Sequence, residues 1–186
     1  QKRAIIFAVG DEVGRAYTQM IETVLADPVL STWKWILTLE DDNLPPPDAH
    51  VKLIETAEWG KFDAVSGIYW TKGEINRPMA YGSPSKFVST GELEFMPLDI
   101  EEALKQGQIV PVNGIGMGCA LWRMDLFREV KGPWFVTVNE FVEGQGIKCF
   151  TQDLAFWERA VRLGKRAAVD MRIRVGHLDT LSGIVY

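Results

Sequence analysis

A short apolar run that ends in three consecutive acids and then three prolines constrains this chain more than any other stretch. Residues 33–39 are mostly apolar, Glu40, Asp41 and Asp42 follow at once, and Pro45, Pro46 and Pro47 come just after. The apolar part predicts a buried strand, and the prolines force an extended exit. A strand that delivers carboxylates to its C-terminal end is how an open α/β sheet places oxygen ligands at a crevice. Hard oxygen donors of this kind suit Mg²⁺ or Mn²⁺, ions that commonly hold a substrate's phosphates. The plainer alternative is an acidic turn that caps the next helix, but capping needs one acid rather than three.

Around this landmark the pattern predicts strand, helix, strand, helix, strand. Residues 4–9 are a continuous apolar run and read as a buried strand; residues 12–25 carry Val13, Tyr17, Met20, Ile21 and Val24 at helical spacing. Asp48 is a plausible cap for a helix through about Trp59, with Val51, Ile54 and Ala57 inward, and residues 64–70 read as the third strand. This order predicts an α/β fold with a mostly parallel central sheet covered by helices, plus a small antiparallel element. The antiparallel element is expected where residues 86–89 and 92–96 could pair across Thr90-Gly91. A short helix is predicted over residues 99–106, a strand at 119–122, a helix at 125–130, a mobile loop over 132–146, and an amphipathic helix from Asp153 to Gly164. Strands near residues 166–169 and 173–178 close the chain.

At 186 residues, with 47% hydrophobic and 24% charged side chains, the chain suits one well-buried domain. A net charge of −5 argues against a nucleic-acid partner. No apolar run approaches membrane-spanning length, so no membrane segment is expected. Two widely separated cysteines, Cys119 and Cys149, suit a reducing compartment, which places the expected location in the cytoplasm.

Several constellations could carry chemistry. Alternation along the strand sets Glu40 and Asp42 on one side and Asp41 on the other, so Glu40 and Asp42 form the natural clamp and Asp42 the better direct ligand. Asp153, at the start of the late helix, is either a capping residue or a general base in the cleft. His177 is either a hydrogen-bonded structural residue or an imidazole that completes a Mn²⁺ sphere. The glycines of residues 113–118, Gly116 among them, allow backbone to approach a ligand closely. That segment lacks the Gly-Lys-Ser/Thr of a phosphate loop, and Gly10-x-x-x-Gly14 lacks a dinucleotide triplet. Trp35 and Trp157 occupy core positions, whereas Trp70 and Trp134 fall in turns where aromatic faces either pack or stack on sugars.

Taken together and in this order, these motifs resemble the glycosyltransferases of the GT-A fold, particularly the large inverting family 2. Leu39-Glu40-Asp41-Asp42-Asn43 followed by prolines resembles the family's Asp-x-Asp metal motif. Residues 62–69 resemble its next strand, and residues 113–122 resemble its Gly-rich segment facing donor and acceptor. Thr151-Gln152-Asp153 resembles the motif that supplies the catalytic base, and Gly176-His177 resembles a late metal-ligating histidine. The resemblance spans roughly residues 4–178 and implies a Rossmann-like sheet. It implies a Mn²⁺ or Mg²⁺ ion on Glu40, Asp42 and His177, with Asp153 as base. It further implies donor contacts from Glu40, Asp41, Gly116 and the Trp134 loop. The implied partners are a UDP- or GDP-sugar donor and a carbohydrate or other hydroxyl acceptor. Glu40 stands where Asp is usual, and Gln152 where an acid often precedes the base. The family's first strand-helix unit has no copy before residue 4, so the domain is expected to lack it. A nucleotidyltransferase, a catalytically inert carbohydrate-binding or scaffold domain, and a retaining mechanism are the competing expectations.

Overall fold

The computed structural model describes residues 4–143 and 146–186. Its elements run α1 (Val13–Ala26), β1 (Trp35–Leu39), β2 (Asn43–Leu44), α2 (Ala49–Gly60), β3 (Ala64–Ile68), β4 (Ala80–Tyr81), α3 (Pro84–Thr90) and α4 (Ile100–Gln106). They continue with β5 (Ile109–Val112), β6 (Gly114–Ile115), β7 (Cys119–Arg123), α5 (Met124–Glu129), β8 (Val138–Val142), β9 (Gly146–Phe150), α6 (Gln152–Arg162), β10 (Ala167–Arg174) and β11 (Gly176–His177).

The central sheet has the order β1-β7-β3-β10-β5. The chain is α/β as expected, but the sheet is not mostly parallel: β1–β7, β3–β7 and β10–β5 are antiparallel, and β10–β3 is the parallel pair. The physical reason lies in β7. The crossover through α2 does set β1 and β3 in the same direction, but β7 returns from the far half of the chain and inserts between them. Order along the sequence revealed the crossover and could not reveal the insertion.

Alternation along each strand divides the apolar side chains between two cores. Ala120 and Trp122 of β7 join Tyr17, Ile21, Phe127, Phe156 and Trp157 on one face. Cys119 and Leu121 join Leu53, Ala57, Phe62 and Val65 beneath α2 on the other. The Trp122 and Trp157 rings stack with centroids 5.6 Å apart. β10 keeps the same alternation through Met171 and then breaks it. Asp170 lies opposite Gly67 while Arg174 lies opposite Ile68, a bulge that carries Ile173 and Val175 over to the α2 side.

Local expectations fare unevenly. α1 buries Tyr17, Ile21 and Val24 as its spacing predicts, leaves Val13 exposed against expectation and ends at Asp27, while α2 buries Ala49, Leu53, Thr56 and Ala57 rather than a stripe through Val51. The predicted hairpin near Thr90 is instead α3, because Pro84 opens a helix at its first turn and Gly91, at φ 73°, closes it in the left-handed region. The antiparallel ribbon falls at β8–β9, with β8 inside the expected loop and β9 running on from its end. Residues 4–9 form no strand. Phe7 is 84% and Val9 90% exposed, and the run borders a surface pocket with Ala16, Gln19, Met20 and Thr23 of α1. An apolar run becomes a strand only where an edge pairs with it, and β1, on the sheet's rim, pairs with β7. Among the described residues, no helix is long and apolar enough to cross a membrane.

Candidate functional site

The acidic turn is held by backbone. Glu40 donates its N–H to the Gly118 carbonyl at 2.9 Å, and Asn43 donates to the Glu40 carbonyl at 3.1 Å. The two-residue strand β2 then pairs with β11, with Asn43 opposite His177, and Leu178 donates to the Asp42 carbonyl at 2.8 Å. This short pairing brings a histidine from the end of the chain to the carboxylates near its start.

Asp42 is the hub. Its Oδ1 accepts from Asn43 Nδ2 at 3.0 Å and lies 3.7 Å from His177 Nε2; its Oδ2 receives the Lys72 ammonium. Burial opposes ionisation of Asp42, but the hydrogen bonds from Lys72 and Asn43 and the charges of Lys72 and His177 outweigh it. The carboxyl is held below its usual range. His177 Nδ1 lies 2.6 Å from the Trp70 carbonyl, an oxygen that can only accept, so Nδ1 carries a proton and Nε2 is the nitrogen turned toward Asp42. A histidine anchored through one nitrogen by a carbonyl, with the other nitrogen facing a carboxylate, has the usual bearing of a metal ligand.

Glu40 shares the same side. Its Oε1 accepts from the Tyr17 hydroxyl at 3.3 Å. Burial and then the Asp42 charge push its carboxyl up, with Asp153 adding to the rise and Tyr17 and His177 opposing it. Asp41 is exposed; it and Asp42 lie in a turn beyond the end of β1, where strand alternation no longer applies. Asp153 is only 5% exposed. It is not the cap of α6, which is Thr151; its Oδ1 accepts from the Thr151 hydroxyl and, at 2.9 Å, from the Leu154 N–H. Burial outweighs these bonds and raises its pKa. α6 is fixed against the Gly-rich segment by Trp157 Nε1, which donates to the Ile115 carbonyl at 3.1 Å. The Asp153 charge reaches Glu40, Tyr69 and Tyr81, so Asp42, Glu40, His177 and Asp153 share one electrostatic neighbourhood.

Two expected contacts change role. Gly116 is closed to a ligand: a Cβ there would stand 2.3 Å from the Tyr69 hydroxyl. Likewise a Cβ on Gly118 would meet the Asn43 amide at 2.8 Å. The segment is glycine-rich so that Tyr69 and Asn43 can reach its backbone; Gly118 donates to the Tyr69 hydroxyl at 2.9 Å. Trp134 is 7% exposed, donates to the Phe127 and Val130 carbonyls at 3.1 and 2.7 Å, and packs edge-on against Phe127. It is a core residue and not a sugar platform. Its NH finds two carbonyls at the end of α5, a destination that turn composition does not reveal. Cys119 is a buried free thiol pushed up to about 11 by its burial; the side chain of Cys149 lies outside the described residues.

Among the described residues, no three His, Cys, Asp or Glu side chains converge closely enough to hold a metal ion by themselves. Glu40, engaged by Tyr17, therefore does not complete a ligand set with Asp42 and His177. The Asp42–His177 pair fits an ion that takes its other ligands from substrate and water, the usual manner of Mg²⁺ beside phosphates. Sequence reasoning missed Tyr17, Tyr69 and Lys72. Tyr17 carried a signal, an inward position on α1; Lys72 carried none.

No protein-family model and no curated protein matches this chain. Among solved structures it is similar to the crystal structure of A197 from STIV, with a TM-score of 0.61 and 16% identity, over 94% of this chain and 72% of that chain. At such low identity the likeness concerns the fold alone.

Proposed function

We propose that this chain is a metal-dependent glycosyltransferase of GT-A type, moving a sugar from a nucleotide-sugar donor to an acceptor hydroxyl with inversion. The observation that carries the reading is the approach of His177 Nε2 to Asp42 Oδ1, 3.7 Å apart, next to a Glu40 carboxyl that feels the charges of Asp42, His177 and the buried Asp153 alike. Asp42 and His177 would hold Mn²⁺ or Mg²⁺. When bound, the ion supplies Lewis-acid charge that offsets the departing nucleoside diphosphate.

The residues of the chain do the rest. Asp153 takes the acceptor's proton, and burial, by raising its pKa, makes its carboxylate a stronger base than an exposed one. Glu40, tied to the Tyr17 hydroxyl, orients the donor. The Trp70 carbonyl fixes the ring of His177, and the Tyr69 hydroxyl steadies the Gly118 backbone on which the acidic turn hangs. Water is excluded from the Asp153 side by burial rather than by a Trp134 lid.

The test is calorimetric binding of UDP and GDP, and hydrolysis of their sugar donors, with Mn²⁺ added and withheld. Metal-dependent binding that disappears in Asp42→Ala is expected. Binding unchanged in that variant would overturn the scheme, and binding with no turnover would point to an inert carbohydrate-binding domain.

A further inference from the structure

The Lys72 ammonium occupies one oxygen of the carboxylate whose other oxygen faces His177. A divalent ion held between Asp42 and His177 would set two more positive charges beside that ammonium, and like charges this close repel strongly. The lysine side chain has four rotatable bonds and a compact, well-hydrated charge, so it can leave. Its backbone cannot leave so readily. Thr71 donates to the Arg77 carbonyl at 2.8 Å and to the Ile75 carbonyl at 3.1 Å, Arg77 donates back to the Thr71 hydroxyl at 3.0 Å, and Trp70 bridges to Pro78. Two residues of this held loop therefore grip the two candidate ligands: Trp70 through its carbonyl on His177, Lys72 through its ammonium on Asp42. Nearer hydrogen bonds lower the pKa of Asp179 in the C-terminal turn, and the Lys72 charge adds to that lowering.

We propose that Lys72 is a positioning residue that competes with the divalent ion for Asp42 and moves onto the donor's diphosphate once the ion is seated. The inference rests on the transferase reading and deepens it. The ion displaces the ammonium, the donor brings negative charge with it, and the freed ammonium becomes a second cation on that charge. Metal and donor then bind cooperatively: each removes an obstacle to the other.

The experiment is calorimetry on the whole chain as wild type, Lys72→Met and Lys72→Arg, first with Mn²⁺ alone and then with UDP or GDP at saturating Mn²⁺. In Lys72→Met, Mn²⁺ alone should bind about three- to tenfold more tightly, the span between exposed and desolvated ion pairs, and the diphosphate should bind more weakly by a similar factor. Lys72→Arg, which keeps the charge, should stay close to wild type for Mn²⁺. Wild-type binding of both ligands with neither affinity altered in Lys72→Met overturns the inference and leaves the transferase reading standing. A Lys72→Met chain that binds Mn²⁺ more weakly also overturns it, since the lysine would then be holding Asp42 in a binding posture. Wild-type failure to bind either ligand removes both.

Discussion

Replacing Gly116 with alanine puts a carbon where the hydroxyl of Tyr69 already stands. The new Cβ would lie 2.3 Å from that oxygen, 3.2 Å from the ring carbon bearing it, and 2.9 Å from Met79 Cε. The methionine tip can swing away; the tyrosine is fully enclosed and cannot. Overpacking of this kind costs about 1–3 kcal/mol, or a melting temperature lower by about 2–12 °C in a chain of this size. Tyr69→Phe alone costs a comparable amount for another reason: the buried Gly118 N–H loses its acceptor, worth about 1–3 kcal/mol. The two changes together must cost less than their sum. Phenylalanine lacks the oxygen that collides, so the alanine then meets only a ring carbon at a tight but tolerable distance. The expected coupling is about 1–2 kcal/mol, read from urea unfolding of the four chains by circular dichroism. Additivity within about 0.5 kcal/mol would refute the claim that Gly116 is glycine for the sake of Tyr69.

Two further outcomes follow from the buried acids. Asp170, wholly buried, resists ionisation by its burial, but hydrogen bonds from Arg172 and Thr56 prevail and hold its pKa below the ordinary range. Its unfolded pKa is about 3.9, so its stabilisation is present above that value and is lost as pH falls through the lower folded pKa. Unfolding by urea between pH 7 and 3 should show a shallower acid limb in Asp170→Asn than in wild type; parallel limbs would contradict this. Asp153 has the opposite sign: burial raises its pKa, so its charge is a cost at neutral pH and wild type gains from protonation as pH falls. Asp153→Asn should therefore abolish transfer while unfolding at pH 7 no more easily than wild type. A loss above about 1 kcal/mol would instead make Asp153 an anchor for Thr151 and Leu154.

What could be read in the chain beforehand was whatever periodicity and residue type encode. The strand into Glu40, though set at the rim with Leu37 and Leu39 exposed, and the α1 stripe of Tyr17, Ile21 and Val24 are local patterns, and they hold in the fold. The convergence of Asp42 with His177 needed a pairing of only two residues, Asn43–Leu44 with Gly176–His177, too short to leave a strand pattern. Lys72 and the Trp70 carbonyl act through a loop closure that residue types do not announce. Gly116 and Trp134 misled for one reason. Glycine permits close approach, and an aromatic in a turn invites it, but neither says whether the visitor is a ligand or the protein itself. The exposed run at residues 4–9 shows the converse: apolar sequence without a paired edge stays in solvent.

The irregularity in β10 has a consequence for how this gene can vary. Four steps from Asp170 to Arg174 advance the neighbouring strand by a single residue, so everything downstream presents its other side. An insertion or deletion of one codon there would turn the imidazole away from its carboxylate without touching either. The spacing from the buried Asp170 to His177 is thus as much a determinant of the chemistry as the histidine.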